Sequence, residues 1–176
     1  MSGLDYGALM ALRDLDRSFV YDERDTMHYA LAVGMAEDPL DRSELPFVFE
    51  GHGPKVLPSM AVAIARSPLP RTLPIDMTNV LHGEQSLILH RVLPPSARLL
   101  ADTRLTRIVD KGEGKGAIIY HETAVRLEDD GAPLFTSRGS LFARADGGFG
   151  GSPDVVVSPH PMPQRAPDLA CAIPTR

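Results

Sequence analysis

Two histidine-centred stretches hold the side chains best able to do chemistry in this 176-residue chain. His82-Gly83-Glu84 has the His-x-Glu spacing with which nucleobase deaminases bind zinc and move a proton. That chemistry needs a Pro-Cys-x-x-Cys to complete the metal site, and the chain's single cysteine, Cys171, cannot supply it. His121-Glu122 begins like a zinc-protease helix, but position 125 is Val125 rather than histidine, and the surrounding residues are strand formers. Gly112-Glu-Gly-Lys-Gly116, with Lys111 and Lys115, looks like a phosphate loop. It lacks the Lys-Ser/Thr after the last glycine and leads into a strand rather than a helix, so a hairpin turn with glycines at positive φ accounts for it better. Asp129-Asp130 pairs two carboxylates, but at a turn tip where solvation explains them. No Gly-x-Ser-x-Gly nucleophile elbow is present. These residues support no metal site and no catalytic constellation.

The bulk properties narrow the field without naming an activity. A formal net charge of −5 gives no reason to expect nucleic acid or an anionic membrane as partner, though a local basic spot can still hold an anionic group. No apolar run approaches the ~20 residues a membrane helix needs. Met1 to Leu15 carries Asp5 and Asp14 and lacks the basic-then-apolar order of a signal peptide. One cysteine excludes an internal disulfide. A cytoplasmic location is the expectation.

The elements that must position these residues are legible in outline. Leu4, Ala8, Ala11, Leu12 and Leu15 predict an opening helix over 4–16. Asp22 caps a second helix with Asp25 in its first turn, Met27, Ala30 and Leu31 on one face, and Gly34 as its stop. Leu45 to Glu50 reads as a strand or extended segment. Pro58 to Ala65 reads as a two-turn buried helix, and Pro68, Pro70 and Pro74 make the next stretch a loop. Four strands follow: Val80–His90, Leu99–Val109, Ala117–Leu127 and Leu134–Arg144. In the second of these, Ala101, Thr103 and Leu105 alternate with Asp102, Arg104 and Thr106. Glycines 112, 114 and 116 and Asp129-Asp130-Gly131 mark the turns. Helices followed by an antiparallel meander give an α+β class, with the 58–65 helix lying against the sheet. Residues 153–176 hold six prolines and no periodicity, and read as a linker. The division is a helical lead-in over 1–20, a domain over 21–152 and the linker.

Four stretches stand out in order: Tyr29-Ala-Leu-Ala-Val-Gly34; Phe47-Val-Phe-Glu-Gly51 with Lys55-Val-Leu-Pro58; Val80-Leu-His-Gly-Glu-Gln85 with Leu93-Pro-Pro95; and Val109-Asp-Lys-Gly112 with Ser140-Leu-Phe142 and Gly147-Gly-Phe-Gly-Gly151. Together they resemble the N-terminal half of MaoC-like (R)-specific 2-enoyl-CoA hydratases of the peroxisomal multifunctional type. The resemblance spans about residues 20–151, and the tail from Arg165 onward is similar to the family's connector between halves. It implies a hot-dog fold, an antiparallel sheet wrapped around a helix, forming the N-terminal half of a double hot dog that dimerises further.

The resemblance also implies a reaction: water adds to a trans-2-enoyl-CoA to give a (3R)-3-hydroxyacyl-CoA in fatty-acid or sterol side-chain β-oxidation. In the family an Asp-x-Asn-Pro-x-His motif in the second half carries the acid–base chemistry. That motif is absent here: Ala36-Glu-Asp-Pro-Leu40 is its nearest echo, and no histidine follows. The chain alone is therefore expected to be inactive, with no cofactor beyond the coenzyme A thioester that is the substrate. Its implied role is substrate binding through His82, Gly83 and Lys111, with Lys111 suited to a nucleotide phosphate. Glu50 and Tyr29 match protic positions of the family, for which a hydrogen-bonding role is expected, a buried Glu50 with a raised pKa being the other reading. The implied partner is a second hot dog carrying the catalytic residues, as a further domain or as a separate subunit. A stand-alone acyl-CoA-binding module is the third form the chain could take.

Overall fold

The computed structural model describes residues 5–67, 69–150 and 161–172. Five antiparallel strands form one sheet in the order β1-β3-β4-β5-β2. They are β1 (Arg13–Tyr21), β2 (Val80–Leu89), β3 (Ala97–Asp110), β4 (Ala117–Leu127) and β5 (Pro133–Ala143). The glycine turn joining β3 to β4 holds Gly112, Gly114 and Gly116 all at positive φ, and Gly131 turns β4 into β5 in the same conformation. The four expected strands are present, but only β3, β4 and β5 form a meander: β2 crosses over to pair with β5 at one edge, and β1 is added beside β3 at the other. The helix expected over 4–16 stops early: α1 (Tyr6–Ala11) is capped by the Asp5 carboxylate, and Leu15 belongs to β1. The stretch read as a helical lead-in thus contributes an edge strand. Its apolar residues at helical spacing could not reveal that β3 offers a free edge.

The second helix, α2 (Glu23–Ala32), starts as the sequence requires. The Asp22 carboxylate accepts from the Asp25 amide at 3.0 Å, and the Asp25 carboxylate accepts from the Asp22 amide at 3.1 Å. Gly34 at φ 104° follows its end. Its buried positions are Thr26 and Ala30, while Leu31 is exposed. Thr26 Oγ1 donates to the Pro95 carbonyl at 2.9 Å, and the Tyr21 hydroxyl donates to the Pro94 carbonyl at 2.6 Å. The Leu93-Pro-Pro95 segment is thereby tied to the junction of β1 and α2.

Two local expectations change. Leu45–Val48 is a single helical turn, α3, followed by a 3-10 turn at Glu50–His52, rather than a strand. Pro46 at the start of that turn has no N–H to give a sheet ladder. Residues expected to loop after Pro68 include a helical turn, Leu69–Thr72. The helix over 58–65 is confirmed, as a 3-10 turn (Pro58–Met60) running into α4 (Ala61–Ile64). Of the residues read as a linker, 153–160 and 173–176 lie outside the described residues, and 161–172 form no helix or strand.

One face of the sheet is covered in two patches. Met60, Ala61 and Ala65 pack with Leu99, Ala101, Val125 and Phe135. Leu9, Leu69 and Leu73 pack with Leu105, Ile108, Ile119 and Ala143. The opposite face is charged. There Glu122 bridges Arg104 and Arg138, and Arg126 bridges Asp102 and Asp16.

Candidate functional site: a polar stripe across the sheet

The two apolar patches do not meet. Between Ala101 and Leu105 of β3 stands Thr103; between Val125 and Ile119 of β4 stand Thr123 and His121; between Phe135 and Leu141 of β5 stands Ser137. Each is at an inward-facing position where strand alternation calls for an apolar residue. The stripe continues through Gln85 and His82 on β2 and Arg17 on β1, so it crosses all five strands and forms the floor of a cleft of about 810 Å³. Ala61, Val62 and Ala65 form its roof, and Met77 and Leu141 close the side. The cleft exists because a four-residue helix is too short to cover the whole face, and the uncovered strip is polar.

Both edge strands reach this cleft through a bulge. On β2 the pairing with β5 shifts between His82 and Gln85, so Gly83 and Glu84 lie opposite Ser140. The Glu84 amide donates to Ser140 Oγ at 3.0 Å, and a Cβ on Gly83 would lie 2.6 Å from that same oxygen. Glycine is required there by space. On β1 the register shifts between Asp14 and Arg17, with Asp16 at φ 53°. A bulge bends the strand and re-aims the side chain beside it, here His82 and Arg17.

Apart from Arg17 and His121, the floor is hydrogen-bonded among the described residues. Thr103 and Thr123 share a hydrogen bond of 2.8 Å between their hydroxyls. Gln85 Nε2 donates to Ser137 Oγ at 2.7 Å and to the Arg138 carbonyl at 3.0 Å, and His82 Nε2 lies 3.4 Å from Gln85 Oε1. His121 sits opposite Gly139, where a Cβ would approach its Nε2 to 2.7 Å. Its Nδ1 is buried and has no partner. Burial, and then the proximity of His82, lower the pKa of His121 below the ordinary histidine value, so it is neutral at pH 7. No carboxylate lines the cleft among the described residues. The site offers hydrogen bonds and positive charge but no paired acid and base.

The residues singled out from sequence divide. His82 lines the cleft, and Gly83 makes the bulge that aims it. Lys111 is outside the cleft, with its Nζ 5.7 Å above the Phe142 ring. Phe142 pairs with Leu81 on β2, so Lys111 and His82 approach the same sheet edge from opposite faces. Glu50 is exposed, in the 3-10 turn away from the cleft, so the reading of it as a buried carboxyl does not hold. Tyr29 packs, partly buried, against the first apolar patch. Sequence reasoning weighed His121 only as the start of a zinc motif and passed over Thr103, Thr123, Arg17 and Arg66 as site residues. The available signal was the polar residue at the same step in successive apolar strands.

Asp110 organises the Lys111 turn. Its carboxylate accepts from the amides of Gly112 at 2.9 Å and of Gly148 and Gly150 at 2.7 Å. A Cβ on Gly147 would lie 2.5 Å from the Gly112 carbonyl. The two glycine-rich segments therefore stack backbone on backbone, which only glycine permits.

The likeness to known proteins agrees with this architecture. The chain is 36% identical over 163 residues to enoyl-CoA hydratase ChsH3 of Mycobacterium tuberculosis, covering 89% of this chain and 55% of that protein. It is 34% identical over 153 residues to the peroxisomal enoyl-CoA hydratase 2 of Arabidopsis thaliana, covering 82% and 49%. The chain thus spans about half the length of these relatives. In fold it matches the crystal structure of a MaoC-like dehydratase from Phytophthora capsici with a TM-score of 0.74 at 22% identity, over 94% of this chain and 58% of that one. The fold is a hot dog. Residues 19–145 match the family model of the MFE-2 hydratase 2 N-terminal domain, and the chain belongs to that family.

Proposed function

We propose that this chain is the acyl-thioester-binding, non-catalytic half of an (R)-specific enoyl-CoA hydratase, and that the acid–base pair comes from a second hot dog. The observation that carries this reading is the cleft itself: it is large, it has hydrogen-bonding groups along its floor, and no carboxylate lines it among the described residues. Family membership supports the hydratase class. The acyl chain lies along the polar stripe beneath α4, and the thioester sits at the β2 edge near His82. The coenzyme A phosphates lie near Lys111. The partner docks along β2, an edge strand exposed over most of its length, with Leu81 and Ile88 among its exposed side chains. An exposed edge strand offers unpaired backbone donors and acceptors to another strand.

The test is calorimetry of the purified full chain with a medium-chain acyl-CoA, together with a crotonyl-CoA hydration assay. Binding without turnover is expected, and His82→Ala weakens the binding. Hydratase activity appears on adding a hot-dog polypeptide that carries the Asp-x-Asn-Pro-x-His motif. Turnover by the chain alone that is lost in Glu50→Gln would overturn the division of roles. Absence of binding at millimolar ligand would remove the acyl-thioester reading.

A further inference from the structure

We propose that the ligand of this cleft carries a second anionic group, a carboxylate at the far end of its acyl chain, which Arg17 and Arg66 receive. This rests on the acyl-thioester reading above and names a substrate class for it. The two arginines line the same cleft as His82 but come from different elements, Arg17 from the inner face of β1 and Arg66 from the segment after α4. Among the described residues neither forms an ion pair. On the outer face, by contrast, Arg98, Arg104, Arg126 and Arg138 each hold a carboxylate. Asp14, which adjoins the cleft, accepts from the Ser67 hydroxyl and pairs with neither arginine. Arg17 lies 6.0 Å from the Phe19 ring centre, a contact that orients the guanidinium and leaves its N–H donors free.

An inward-pointing charge on an edge strand can simply discourage edge-to-edge aggregation. Both arginines are exposed, and solvation accounts for either one alone; it does not account for two unpaired guanidiniums from different elements lining one cleft. Two guanidiniums facing one cleft form a receptor for a planar carboxylate, which accepts two parallel hydrogen bonds from each fork. Their place sets which end of the ligand they meet. β1 and β2 are opposite edges of the sheet, four inter-strand steps apart. At ~4.8 Å per step that is roughly 19 Å. A thioester held at the β2 edge by His82 therefore sends the tip of its acyl chain to the arginines.

Two coenzyme A thioesters of equal chain length, long enough to span the cleft, supply the test by calorimetry on the full chain at low ionic strength. One ends in a methyl group and the other is the monothioester of the corresponding dicarboxylic acid. The carboxylate-tipped ligand is expected to bind roughly tenfold tighter, as charge-assisted hydrogen bonds from two guanidiniums allow. In the Arg17→Gln/Arg66→Gln double variant the preference falls to within about twofold, and in Arg17→Lys/Arg66→Lys most of it persists. Equal affinity of the native chain for both ligands overturns the inference and leaves the acyl-thioester reading standing. Equal weakening of both ligands in the double glutamine variant also overturns it, by assigning the arginines to the coenzyme A phosphates. Failure of both ligands to bind removes the acyl-thioester reading and this inference with it. The comparison of two ligands on the native chain stands whether or not the variants fold.

Discussion

Gly83 and His121 show how single atoms shape the cleft. The Ser140 hydroxyl occupies the place a Cβ on Gly83 would take, and it is also the acceptor for the bulge amide of Glu84. Gly83→Ala must push that oxygen aside, and we expect a loss of about 1–3 kcal/mol in urea denaturation. His121 titrates with the opposite sign to a salt-bridged histidine. Its folded-state pKa is lowered by burial and by His82, so the unfolded chain takes up a proton first as pH falls. Its contribution to stability is complete above pH ~6.5 and is lost below that value as the unfolded state gains the proton. In that window His121→Gln should reduce the dependence of stability on pH by up to ~1.4 kcal/mol per pH unit, measured by denaturation at stepped pH. An unchanged slope would mean that His121 is protonated equally in both states.

At the scale of elements, the stripe is held by pairs that bridge neighbouring strands. Thr103 of β3 and Thr123 of β4 are both buried and satisfy one another. Thr103→Val leaves the Thr123 hydroxyl unpaired and should cost about 1–3 kcal/mol, whereas Thr103→Val/Thr123→Val should recover most of that loss. A double-mutant cycle by thermal or chemical denaturation reads the coupling, and simple additivity would show that water replaces the pair. Asp110 acts between two loops. Asp110→Ala removes the carboxylate that gathers the Gly112, Gly148 and Gly150 amides, and should speed hydrogen exchange at Gly148 and Gly150 ahead of the strand amides. The strands and their turns were legible in the sequence because β-branched and aromatic runs bounded by glycine have few other outcomes. β1 was not, because Leu12 and Leu15 continue a helical spacing and only the free edge of β3 recruits their segment.

For the molecule as a whole, alkaline stability is set in part at the β1–α2 junction. Burial pushes the Tyr21 hydroxyl up to about 12, while it donates to the Pro94 carbonyl. The unfolded tyrosine ionises near pH 10, so this contribution is full below pH 10 and is lost progressively between about pH 10 and 12. Tyr21→Phe should flatten that alkaline limb at the cost of a hydrogen bond worth about 1 kcal/mol, measured by denaturation across pH 9–12. Among the described residues, no helix is long and apolar enough to cross a membrane, and no group of three or more metal-ligating side chains converges. The chain spans about half the length of its hydratase relatives, and its exposed β2 edge lies beside His82, where the proposed partner would complete the site.

The sequence by itself determined the family, four of the five strands, their glycine turns, the capping of α2 and the short helix over 58–65. Each of these is encoded locally, in periodicity, a cap or a motif at fixed spacing. Tertiary structure alone decided that Thr103, Thr123, His121, Ser137, Gln85, His82 and Arg17 form one line. These residues are far apart in the chain and are aligned only by strand register and two bulges. It also decided that Glu50 faces solvent and that Arg17 and Arg66 share a cleft with His82. Polar residues at inward strand positions look like interruptions when each strand is read alone; in register across the sheet they become the floor of a binding site.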